Sequence, residues 1–67
     1  MPGMDSGIPR YELDVLHRHR DQPQRQSEDF DCREAQVWLA MNGYLVQKDD
    51  GRFAVTTSGV RVLAKCK

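Results

Sequence analysis

A chain of 67 residues with 39% hydrophobic and 30% charged residues is expected to form a single small domain of ordinary globular composition. Ten basic and ten acidic residues cancel to a net charge of zero, so no bulk positive charge marks it for nucleic acid. The longest apolar run, Val37 to Met41, is far too short to span a bilayer, and the opening "MPGMDSGIPR" lacks a secretory pattern. Cys32 and Cys66 form no CxxC motif, which argues against a zinc ribbon or a disulfide scaffold. These exclusions predict a cytoplasmic protein with reduced cysteines, no membrane span, no metal and no cofactor.

Residues 1–7 hold Gly, Pro, Ser and Asp without periodicity and are expected to form a disordered tail, leaving 8–67 as the domain. Pro9 suits a first helical turn, where its missing N–H has no intrahelical partner. The following "RYELDVLHRHR" predicts an amphipathic helix over 9–20, with Leu13, Leu16 and Arg20 on one side and Val15 and His19 flanking it. "DQPQRQSEDFD" is polar and broken by Pro23, and reads as a loop or a short helix anchored to the core by Phe30.

The next helix carries the strongest signal. Asp31 is a candidate cap with Glu34 three residues on, in a capping-box relation. Cys32, Ala35, Leu39 and Asn42 recur at helical spacing as a core stripe with Trp38 beside them, and Asn42-Gly43 ends the run. "YLVQKDDGRFAV" predicts a hairpin, because Asp-Gly between β-prone runs is a strong turn signal. Two registers compete. A two-residue loop groups Tyr44, Val46, Phe53 and Val55, whereas a three-residue loop with left-handed Gly51 groups Leu45, Phe53 and Val55. Thr56 or Thr57 then caps a last helix that turns Val60, Leu63 and Ala64 inward.

Catalysis is not expected. His17 and His19 are two apart and leave a helix on different faces, and no phosphate-cradling Gly loop is present. Trp38, Tyr44 and Phe53 are expected in the core or at its rim.

The capped helix running into "NGYL", the hairpin around "DDGRF" and the closing "VTTSGVRVL" resemble a winged helix-turn-helix domain of the kind found in small bacterial and prophage proteins. Leu39, Gly43, Leu45, Val55, Thr56, Gly59 and Leu63 carry the likeness, which covers about residues 30 to 65. It implies an α+β winged helix in the order helix, short helix or loop, helix, two-stranded wing, C-terminal helix. It also implies double-stranded DNA as partner, in transcriptional or phage-type regulation. The recognition helix is then 32–42, with Arg33, Gln36, Val37 and Ala40 outward, and the wing is 44–56. Arg33 suits guanine and Gln36 adenine, and Lys48, Arg52 and Arg25 suit phosphates. Arg52 is also a candidate partner for Asp49.

Neutral charge and the acidic group Glu28, Asp29, Asp31 and Glu34 at the start of that helix oppose DNA. The alternative is a protein–protein interaction module of the same fold. Its interface, to a protein partner or in a homodimer, is formed by Val37, Ala40 and Met41, rimmed by Arg33 and Gln36.

Overall fold

The computed structural model describes residues 7–65. The expected tail, apart from Gly7, and Cys66 lie outside the described residues. The elements run α1 (Arg10–Asp21), α2 (Phe30–Met41), β1 (Leu45–Gln47), β2 (Phe53–Val55) and α3 (Thr57–Lys65). Three helices and one antiparallel hairpin make a mixed α+β fold, compatible with a small winged-helix shape.

Pro9 stands at the cap of α1, where its carbonyl accepts from Leu13 N at 2.9 Å. The buried side of α1 is Val15, Leu16 and His19. Arg20, expected to follow Leu16, is exposed instead, and Leu13 only packs against the core's margin. Both lie about a quarter turn from the centre of the buried arc, since successive helical residues are about 100° apart.

Residues 22–29 are not helical. Gln22 is extended (φ −163°, ψ 152°), as the ring of Pro23 demands. Gln24 then exchanges both backbone hydrogen bonds with Phe53, at 3.0 and 2.7 Å, so the connector lies antiparallel along β2. The loop reading holds over the short helix. A helix-turn-helix joins its two helices through about three or four residues; α1 and α2 are instead separated by this extended connector.

α2 starts earlier than expected. Asp29, not Asp31, is its cap: extended at φ −75°, ψ 128°, it accepts from Cys32 N at 3.0 Å, while its own N–H donates to Ser27 Oγ. The Asp31–Glu34 capping box therefore does not form, since Asp31 already lies inside the first turn. Ala35, Gln36 and Leu39 face inward, with Cys32 and Trp38 half-buried. Asn42 leaves the expected core stripe and is exposed, its Nδ2 donating to Trp38 O. Gly43 at φ +84° donates to Ala40 O and Tyr44 N–H to Leu39 O, which closes the helix with a Schellman pair of bonds.

The hairpin adopts the three-residue loop. Leu45 pairs with Val55, Val46 with Ala54 and Gln47 with Phe53. Gly51, at φ +89°, donates to Lys48 O, and Lys48 N–H donates to Arg52 O. Leu45 and Phe53 are buried and Val55 half-buried on one face, while Val46 points to solvent.

Thr56 Oγ1 joins hairpin to helix: it accepts from Gly59 N at 3.1 Å, capping α3, and donates to Gly43 O at 2.6 Å. Gly59 packs so closely on the hairpin that a Cβ there would sit 2.6 Å from both Tyr44 O and Val55 Cγ1. This contact fixes the rotation of α3. Leu63, one turn on, points inward, whereas Val60 and Ala64, expected inside, are exposed. The core joins Ile8, Val15, Leu16, Ala35, Leu39, Leu45, Phe53 and Leu63; burying a Leu of this kind contributes about 1.5–3 kcal/mol.

Candidate interaction surface on helix α2 and the hairpin

The outward face of α2 lies opposite its buried one. Phe30, Val37 and Met41 are 59, 45 and 81% exposed. With Glu34 they follow at intervals of four, three and four residues, which aligns them in one row along the helix. Phe30 was expected as a core anchor. Because Asp29 is the cap, Phe30 becomes the first helical residue and falls on the solvent side. Arg33 lies over its ring, the guanidinium carbon 5.7 Å from the centroid, within reach of a cation–π attraction. Gln26, Phe30, Arg33, Glu34 and Val37 line a hollow of ≈ 290 Å³, slightly below the roughly 300–1,000 Å³ of clefts that enclose small molecules.

The residues expected to read bases separate. Arg33 is half-buried beside Phe30 and Val37 is exposed, but Ala40 packs against the core margin. Gln36 is 1% exposed and cannot reach a base, because it shares the inward phase of Ala35 and Leu39. Its Nε2 donates to Arg25 O and to His19 Nε2, each at 3.0 Å, and its Oε1 accepts from Ser27 N at 2.8 Å. His19 Nδ1 lies 2.8 Å from Val15 O, an acceptor only, so the proton sits on Nδ1 and Nε2 is free to accept. Gln36 thus ties the connector to both α1 and α2. It was also expected to rim the alternative interface, and burial removes it from there as well.

On the hairpin, Lys48 and Arg52 are exposed and face each other across the base of the turn. Arg52 leans toward Asp50, not Asp49: its Nε is 3.9 Å from Asp50 Oδ2, and its backbone N–H donates to Asp50 Oδ1. Arg25 is exposed. Trp38 and Tyr44 stack on one another, centroids 6.4 Å apart at 21°, against the core margin.

Charge along α2 is asymmetric. Glu28, Asp29, Asp31 and Glu34 are all exposed around its first turns, while Ala35 to Asn42 carries no charged residue. The acidic end lies near α1: desolvation first, then Cys32, Asp29 and Asp31, raise the Tyr11 phenol above its ordinary pKa, with Arg18 opposing.

The 30–34–37–41 row was readable from its spacing opposite Ala35 and Leu39, once Asp29 is taken as the cap. The Gln36–His19 contact has no such local signal. Among the described residues, no helix is long and apolar enough to cross a membrane, and no group of three or more His, Cys, Asp or Glu could hold a metal ion. No protein-family model, curated protein or solved structure matches this chain.

Proposed function

We propose that the chain is a protein-interaction module that docks a partner through the outward face of α2. The observation that carries this reading is the row of Phe30, Val37 and Met41, exposed on a helix whose other face is packed into the core. The apolar members of this row, which Glu34 interrupts and Arg33 flanks, favour burial against a partner, at about 25 cal/mol per Å² removed from water. Ala40 leaves the expected interface and Phe30 joins it. The test is Val37→Asp. A folded variant, by circular dichroism, should lose complex formation in sedimentation and partner capture; unchanged behaviour in both refutes the role.

A second reading keeps double-stranded DNA as partner, in transcriptional or phage-type regulation, as the winged-helix resemblance implies. The exposed, adjacent Lys48 and Arg52 favour it, with Arg25 and Arg33 as further phosphate contacts. Each phosphate neutralised contributes about 0.9 to the slope of log affinity against log salt. Arg33→Ala and Arg52→Ala should therefore each weaken duplex binding and flatten that slope. No binding of genomic fragments at low salt rejects the DNA reading. The acidic start of α2 and the buried Gln36 place it second.

A further inference from the structure

His19 and Gln36 meet inside the protein through a chain of hydrogen bonds whose direction is set at both ends. Val15 O can only accept, which keeps a proton on His19 Nδ1. At the other end Ser27 N–H can only donate and Arg25 O can only accept, so together they fix which way the Gln36 amide points. Its Nε2 therefore donates to His19 Nε2. Both ends demand the same neutral imidazole. We infer that this pair is a proton-operated latch: a proton taken up by His19 Nε2 turns the Gln36 amide over and releases the connector at Arg25 and Ser27.

Protonation sets N–H against N–H across the 3.0 Å contact. If the amide stays as it is, a charged donor on a residue 2% exposed is left without an acceptor, the costlier fault inside a protein. If the amide turns over, its Oε1 accepts from His19 in a charge-assisted bond, roughly twice as strong as a neutral one. The turn then sets Nε2 against Ser27 N–H and Oε1 against Arg25 O, and both bonds to the connector are lost. Ser27 is half-buried and Arg25 exposed, so water replaces those two bonds. The turned amide is the cheaper arrangement.

The ionisable groups around His19 do not compensate a positive charge. On α1 the flanking Arg18 and Arg20 are exposed cations, and on the connector Arg25 and Glu28 are both exposed. On α2, Cys32 and Arg33, one turn before Gln36, are half-buried, and Glu34 is exposed. α3 also packs on α1 and brings only the exposed Arg61 and Lys65, while β2 brings none. Among the described residues no carboxylate pairs with the imidazole. The latched form therefore binds one proton fewer than the released form, and by linkage acid favours release. Release stops at Gln24, which stays tied to Phe53 by two backbone bonds. In the other direction it reaches the cap of α2, because Ser27 Oγ accepts from Asp29 N. The latch operates whatever partner the chain takes.

The experiment is NMR of the full chain from about pH 8 to about pH 5, the window in which imidazoles ordinarily titrate. Ring nitrogen shifts report the protonation of His17 and His19 separately. Amide exchange, corrected for the intrinsic rate at each pH, reports protection. His19 should begin as the neutral Nδ1–H ring and gain its second proton within the window. In step with it the Ser27 amide should lose protection about tenfold or more, the scale of one lost hydrogen bond, while Leu16 and Leu39 keep theirs. Gln36→Glu accepts from Ser27 N–H and from protonated His19 without turning, so Ser27 should stay protected in that variant. His17→Gln should leave the step in place. A His19 that stays neutral across the window overturns the latch, as does protonation that leaves Ser27 unchanged. Loss of protection at Leu16 and Leu39 together with Ser27 also overturns it, because the whole domain then opens. So does a folded Gln36→Glu variant that repeats the wild-type loss, or a step that vanishes in His17→Gln. If Gln36→Glu does not fold, the wild-type titration alone decides.

Discussion

Replacing Gln36 with Met keeps the shape of the side chain and removes its amide, which isolates what that amide does. Three hydrogen bonds disappear together: from Gln36 Nε2 to His19 Nε2 and to Arg25 O, and from Ser27 N to Gln36 Oε1. They are not equivalent. His19 is 2% exposed, so its Nε2 loses its donor where water does not replace it, at about 1–3 kcal/mol. Ser27 is half-buried and Arg25 exposed, so their backbone groups return to water at about 0.5–1.5 kcal/mol each. Burial of the Met thioether offsets part of this. The expected net loss is roughly 2–4 kcal/mol, a large share of the roughly 3–10 kcal/mol available to a domain of this size. In urea unfolding followed by circular dichroism, with a slope near 1 kcal/mol per M, the midpoint should fall by at least about 2 M. Exchange of the Ser27 amide hydrogen should also accelerate. A midpoint shift below about 0.5 M at unchanged slope would refute the view that Gln36 ties the connector to the helices.

The cap of α2 gives a paired test: Asp29→Ala should destabilise by about 0.5–2 kcal/mol, whereas Asp31→Ala should fall well short of that in the same urea assay, and the reverse order would restore Asp31 as the cap. Gly59→Ala should cost about 1–3 kcal/mol despite its better helix propensity, because α3 must move away from Tyr44 O and Val55 Cγ1; a stability gain would show that α3 does not rest on the hairpin as described.

Most of the fold could be read locally. The Gly43 stop, the Asp50-Gly51 turn and the Thr56 cap each act within a few residues, and each lies where its chemistry suggested, whereas Pro9, expected in the first turn of α1, stands just before it as the cap residue. The cap of α2 was harder, because Asp29 and Asp31 both stand three residues before a helical N–H. Ser27, whose hydroxyl accepts from Asp29 and whose N–H is held by Gln36, distinguishes them. Two further features depend on partners far along the chain. His19 and Gln36 are 17 residues apart, and Gln24 meets Phe53 across α2 and β1. Nothing near Gln36 announces that its amide will be satisfied inside. The hairpin register was ambiguous because a slip of one residue still alternates apolar and polar; the left-handed Gly51 decides it. In the candidate site, Val37 and Met41 were visible as outward residues. Ala40, Gln36 and Phe30 changed sides because a helix's faces follow from its packing as a whole.

Gln36 bears on the proposed docking face without belonging to it. It sits between Ala35 and Val37, so the bonds that hold the connector also fix the rotational phase of α2 about its own axis. Turning the helix by one residue would bring Gln36 out of the His19 site and carry the Phe30–Met41 row out of line. The row is therefore presented at one bearing, and the docking proposed for this face would begin from a surface already aligned, with little ordering entropy left to lose.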